Sequence, residues 1–264
     1  MTDLICIGVP YWLGEKTHYT GSVDAIKNAG IAAEIGAAWV EITPDFTDVP
    51  DALTAANKGL AAAIAAQPDK LPLIFAADCT SCLGAMKGLE KQQPAVIWYD
   101  GHGDFNTPET TPSGFAGGMP LAALVGRGNQ HWLSAIGLTS VAEKDVMITD
   151  ARDLDPQEGD NLRASGITLL PQLDQLLTQP LPDKPLYLHF DTDVVRLEDM
   201  PAMSYPAAGG ASLETTIATV RRLLHERKIA GILFSLWNNH LPGADKALNS
   251  TLQIVRAMVQ ELQA

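Results

Sequence analysis

Short apolar runs alternate along this chain with longer stretches in which apolar residues recur every three or four positions. The runs at 4–9, 38–42, 71–76, 95–99, 146–149, 186–190 and 229–235 are dense in Ile, Val, Leu and aromatic residues, and they predict strands. Helical spacing predicts helices over 22–29, 51–66, 81–90, 171–177, 212–226 and 244–262. Strand followed by helix, repeated, predicts an α/β fold of three layers (αβα), with helices on both faces of a mostly parallel central sheet. Pro180 to Pro185 reads as a proline-punctuated turn rather than a linker, and no internal repeat is visible. Residues 1–264 are therefore expected to form one domain.

Charge narrows the partners. With 18 Lys and Arg against 31 Asp and Glu, a net −13, the chain lacks the clustered basic side chains that bind phosphate backbones, so no nucleic-acid partner is expected. The chain opens Met1-Thr2-Asp3-Leu4 without a basic leader, and no apolar run approaches the roughly 20 residues that span a bilayer. A cytoplasmic protein without a membrane partner is the expectation. Cys6, Cys79 and Cys82 are an odd number and do not suggest a disulfide framework. Cys79-Thr80-Ser81-Cys82 falls at an expected helix start, where a thiol pKa would drop. Redox motifs of that kind belong near the beginning of a different fold, so oxidoreductase chemistry is a minor expectation.

The residues directly after the strands carry the chemistry, because open α/β sheets bind ligands at the carboxyl ends of their strands. Ile97-Trp98-Tyr99 runs into Asp100-Gly101-His102-Gly103-Asp104, and Leu186 to Phe190 runs into Asp191-Thr192-Asp193. A third strand delivers Asp78 and Cys79. Residues two apart in extended chain project to one face, so Asp100, His102 and Asp104 can converge, as can Asp191 and Asp193. Such a cluster repels itself unless it is protonated or neutralised by cations. Oxygen-rich donors with an imidazole suit Mn²⁺ or Mg²⁺, with Zn²⁺ or Fe²⁺ also open.

These motifs give the chain a resemblance to the arginase, agmatinase and formiminoglutamase family of binuclear manganese hydrolases. It runs from Ile7-Gly8-Val9-Pro10 with Gly14 and Gly21, through Asp100 to Pro108, Ser113-Gly114 and Gly118-Met119-Pro120, to Arg152 to Pro156 and Asp191-Thr192-Asp193 with Pro201 and Gly209-Gly210. The resemblance implies the arginase/deacetylase-like fold. It also implies Asp100 and Asp191 bridging two metals, Cys79 and Asp104 on the first ion, and His102 and Asp193 on the second. One or two Mn²⁺ ions would hold a hydroxide that Asp104, the catalytic residue, orients towards a planar carbon. Asn106, Thr111, Ser113 and Asp155 match positions that hold the amino-acid end of a substrate. A small-molecule substrate is implied, and the family's habit of forming trimers or hexamers leaves a homo-oligomer open.

The chain departs from the family in four places. Cys79 replaces the histidine that follows Gly-Gly-Asp, and a thiolate favours Zn²⁺ or Fe²⁺ at that position. Gly117 stands where the family has a proton-shuttling histidine. Asn238 stands where a glutamate pairs with the guanidinium, so the charge-assisted partner is missing. Tyr205 occupies the place of a small residue. Of the remaining histidines, His18 and His240 are weighed as replacement proton donors, while His131, His189 and His225 are read as packing or surface residues.

The reading is a divergent metal-dependent hydrolase of a non-peptide C–N bond in a small amidino, guanidino or ureido compound, with ordinary arginase activity not expected. The alternatives are a catalytically inactive arginase-like binding protein, or a single-zinc deacetylase-like hydrolase built on Asp100, His102 and Asp193 with Tyr205 as oxyanion donor.

Overall fold

The computed structural model describes residues 2–264. Its strands are β1 (Leu4–Val9), β2 (Ala38–Glu41), β3 (Leu71–Ala76), β4 (Ala95–Tyr99), β5 (Val146–Thr149), β6 (Thr168–Leu170), β7 (Leu186–Asp191) and β8 (Ile229–Ser235). They form one sheet in the order β2-β1-β3-β8-β7-β4-β5-β6, and every pairing is parallel. The central strands are buried along their whole length, which is why they read as continuous apolar runs rather than as alternating ones.

The strands present alternate residues to two cores. Leu73, Phe75, Ile97, Tyr99, Leu188 and Phe190 face one layer, which holds α1 (Gly21–Asn28) and α2 (Ile31–Glu34). Ile74, Ala76, Val96, Trp98 and Tyr187 face the other, which holds α3 (Ala52–Ala65), α4 (Cys82–Leu89), α5 (Pro120–Leu124), α6 (His131–Ile136) and α7 (Pro156–Arg163). The first layer is completed by α8 (Leu213–Glu226) and α9 (Ala244–Gln263). Asp51 caps α3 through Thr54 N–H at 2.6 Å, and Ser212 caps α8 through Thr215 N–H at 3.1 Å. No helix of the described residues is long and apolar enough to cross a membrane.

Several elements depart from expectation. The edge strand β6 has only three residues, too few to show a period. The segment expected as a helix over 171–177 is a 3₁₀ turn at Leu173–Leu177. Helix α7 presents a single buried large apolar residue, Leu162, so its period is silent, although Pro156 behind Asp155 marks its start.

Chain order positions the site. After β3 the chain skips two places to lay down β4, and β7 and β8 later fill the gap between them. Four neighbouring strands, β3, β8, β7 and β4, therefore open their carboxyl ends onto one cleft, the place where parallel sheets gather ligands.

Candidate metal centre

The segment after β4 is held by its own backbone. Asp100 is 1 % exposed; its Oδ2 accepts from the Trp98 indole N–H at 3.0 Å and its Oδ1 from the His102 N–H at 2.7 Å. Gly101 N–H donates to Asp193 Oδ1 at 2.8 Å, tying the end of β4 to the turn after β7. Space is short here: a Cβ at position 101 would lie 2.8 Å from Ala207 Cβ and 3.1 Å from Asp193 Oδ1. The His102 Nδ1 is 2.8 Å from Asp193 Oδ2 and 3.5 Å from Asp100 Oδ1. Asp104 adopts φ +47°, a conformation unfavourable to a side chain with a Cβ, and its carbonyl accepts from Leu121 and Ala122 at the start of α5. That turn sends its carboxylate inward, where Oδ2 is buried with no hydrogen-bond partner.

From β7, Asp191 Oδ1 accepts from Asp193 N–H at 2.8 Å, and Oδ2 lies 3.0 Å from the Cys79 thiol. Cys79 Sγ is also 3.2 Å from Ser235 Oγ at the end of β8. Asp78 turns away into structural work, accepting from Leu13 N–H and from Thr80 N–H. Donor atoms thus collect in two groups. Ligand atoms of Cys79, Asp100, Asp104 and His189 lie within 4.8 Å of one another, as do those of Asp100, His102 and Asp193. Asp191, which the resemblance casts as a bridge, stands in neither group, and its oxygens are occupied by Cys79 and the Asp193 N–H.

His189 joins the inner group from inside β7. It was read as a packing residue, and it is fully buried. Its ring stacks on Trp98 at 3.5 Å and 9°, and neither ring nitrogen has a partner. Burial drives its imidazole down to about 3, so it is neutral with a lone pair free. The available signal was the strand period: His189 shares a face of β7 with Asp191, and it pairs in register with Trp98, two residues before Asp100.

The donor set fits divalent cations. Burial raises the Asp100, Asp104 and Asp193 carboxyls, and the charge of Asp100 adds to the rise at Asp104 and Asp193. Burial, then the charge of Asp193, lifts Asp191 to about 7. Burial opposes a charge on His102, but the Asp100 and Asp193 carboxylates prevail and push its imidazole up to about 12. Without a cation the cluster must retain protons, and a metal ion would replace them. The Cys79 and Cys82 thiols, expected to be lowered at a helix start, are instead raised, first by burial and then by the Asp104 carboxylate. The three cysteines are free and buried.

A cleft of about 510 Å³ opens above the centre. Asn106, Thr111, Ser113, Asp155 and Asn238 all line it. Asn106 spans Asp155 Oδ2 at 2.9 Å and Thr110 Oγ1 at 3.0 Å, and the Thr111 and Ser113 hydroxyls lie 3.4 Å apart. Asn238 is tied at both ends, donating to Ser204 Oγ and accepting from His240 N–H, each at 3.0 Å. A side chain at Gly117 would have its Cβ 2.5 Å from the Phe115 ring, so Phe115 fills the space beside position 117. Tyr205 is 51 % exposed at the rim, its ring 5.1 Å from Phe115. His18 and His240 face each other at 6.1 Å, and neither lines the cleft. Glu158, unremarked in the sequence, is buried beside it; its carboxylate accepts from Phe105 N–H at 2.8 Å and Asp155 N–H at 3.1 Å, clamping the two loops together.

The model of the arginase family matches residues 16–235. The chain belongs to the arginase family. It is 28% identical to the arginase of Bacillus caldovelox, over 99% of each chain. It is 30% identical to the N(omega)-hydroxy-L-arginine amidinohydrolase of Streptomyces lavendulae, over 62% of this chain and 59% of that one. The crystal structure of Bacillus cereus arginase superposes with a TM-score of 0.86 at 25% identity, covering 98% of both chains. The formimidoylglutamase of Bacillus subtilis shares the fold at a TM-score of 0.77 and 16% identity, over 100% of this chain and 88% of that one. This arginase-family enzyme retains the frame of its relatives over nearly its whole length.

Proposed function

We propose that this arginase-family protein hydrolyses a C–N bond in a small amidino, guanidino or ureido compound with the help of divalent cations. The observation that carries the proposal is the unpartnered Asp104 oxygen, buried among raised carboxyls on the floor of a cleft of substrate size. Asp100, Asp104, His102 and Asp193 would hold the ions together with Cys79, and Asp191 stands beside them. The chemistry that such ions supply when bound is activation of water near neutral pH. Asp104 would accept a proton from a water in the cleft, and its left-handed turn leaves Oδ2 buried without a hydrogen-bond partner. Asn106, Thr111, Ser113 and Asp155 would hold the polar end of the substrate. Asn238 presents an amide where a guanidinium would need a carboxylate, which favours a neutral ureido or weakly basic amidino group over arginine itself.

The test is a hydrolysis screen over guanidino, ureido and formimino compounds with the purified protein loaded with Mn²⁺, Zn²⁺ or Fe²⁺. Turnover of at least one compound is expected, falling by about 10²-fold or more in Asp104→Asn. Silence with all three metals bound would overturn the proposal in favour of a ligand-binding protein.

A further inference from the structure

We infer that His189 is a metal ligand, supplying from β7 the imidazole that position 79 lacks and closing a four-donor site with Cys79, Asp100 and Asp104. The inference rests on the metal-centre reading above. Its own evidence is that His189 is 0 % exposed, that both ring nitrogens lack partners, and that one of them lies within 4.8 Å of the Cys79 sulfur and of Asp100 and Asp104 oxygens. Four tetrahedral donors at about 2.0–2.3 Å from a common ion lie roughly 3.3–3.8 Å apart, so an inward shift on the order of 1 Å brings all four onto one cation.

The alternative is that His189 merely packs. Stacking on Trp98 accounts for the plane of the ring but leaves two buried nitrogens without a hydrogen bond, an arrangement that an apolar ring of the same shape would avoid. The same Trp98 donates its indole N–H to Asp100 Oδ2, so a single side chain orients two members of the proposed set. One nitrogen, one sulfur and two carboxylates make a donor set of borderline softness. The inner position should therefore prefer Zn²⁺ or Co²⁺ over Mn²⁺, whereas the outer group of Asp100, His102 and Asp193 has no sulfur.

The full-length protein, stripped and reloaded with Zn²⁺ or Co²⁺, is compared with His189→Phe, which keeps an aromatic ring against Trp98, and with His102→Ala. Bound metal per chain is measured after dialysis, together with the thiolate-to-cobalt absorption. Two ions are expected in the parent. His189→Phe should lose one ion, with affinity there weakened by at least the roughly 100-fold upper range of an outer-shell loss, and should lose the cobalt–thiolate band. His102→Ala should keep that band. Adding Cys79→His to His189→Phe should restore the second ion without the band. Undiminished stoichiometry and an intact band in His189→Phe would overturn the role of His189 while leaving the proposed function standing. A parent that binds no metal would overturn both. Should His189→Phe fail to fold, X-ray absorption on the zinc-loaded parent decides: sulfur and imidazole on one ion support the site, and sulfur without a second imidazole in the average environment refutes it.

Discussion

The two donor groups share Asp100 yet differ in how far the protein satisfies them unaided. In the outer group, His102 sits between Asp100 and Asp193, Gly101 donates to Asp193, and the imidazole is 28 % exposed. A proton on His102 serves there as the cation, and the group can close on itself. The inner group is wholly buried, and it leaves an Asp104 oxygen and both His189 nitrogens unpaired. The positive charge that reaches it is that of His102, which lies 3.5 Å from Asp100 Oδ1 on its outer side. Such a group is costly in an apolar surround unless something from outside completes it. The two groups thus differ in how completely the protein's own hydrogen bonds satisfy them.

The largest effect should come from the residue common to both. Asp100→Asn removes a charge that each ion needs, and the bound metal measured by elemental analysis should fall from two per chain to nearly none. Retained metal would show that the two groups do not share this ligand. The next step separates them: Asp104→Asn should cost the inner ion alone and Asp193→Asn the outer ion alone. Each variant should keep about one ion, and Asp104→Asn should gain stability in the stripped protein, because the amide removes a buried repulsion.

Chelation tests the same asymmetry without mutation. At a free metal concentration of 100 times Kd, one bound ion adds about 2.7 kcal/mol. For a chain of this size that raises Tm on the order of 5–10 °C. Stripping with a chelator should reverse the gain in the parent. The metal-dependent increment should shrink in Asp104→Asn more than in His102→Ala, as thermal denaturation would reveal.

Most of the frame was legible in the sequence, whereas the place of His189 among the donors was not. Six of the seven expected strands are buried apolar runs, since parallel strands covered on both faces cannot contain much else, whereas β2 is a partly exposed edge strand. Short pieces without periodicity, such as β6 and the polar α7, gave no comparable signal. At the site, Asp100, His102, Asp104 and Asp193 stood out because they follow strands. His189 lies inside one, where an apolar run suggests packing, and only its even spacing from Asp191 marked it. The placement of Asp191 against Cys79 depends on the distance between β3 and β7, which local sequence does not encode.

A smaller perturbation reaches the outer group through the backbone. Gly101→Ala would bring a methyl within 2.8 Å of Ala207 Cβ and 3.1 Å of Asp193 Oδ1. Overpacking of this kind costs roughly 1–3 kcal/mol. The displacement of Asp193 should weaken the outer ion and spare the inner one, read as a change in one of two titration phases. Equal weakening of both would mean that the groups move as a unit.

The finest test uses Trp98→Phe. The phenyl ring can still stack on His189, but the indole N–H to Asp100 Oδ2 is lost, leaving a buried carboxylate oxygen without its donor. Outer-shell losses of this type weaken metal binding about 10-fold or somewhat more. Because Asp100 belongs to both groups, the loss should fall on both ions alike, in contrast to every single-site change except Asp100→Asn. The smaller ring also leaves a cavity, which by itself lowers the Tm of the stripped protein without altering affinity. A fall in Tm with unchanged metal affinity would therefore assign Trp98 to packing alone, whereas parallel weakening of both ions identifies it as the residue that orients the shared carboxylate.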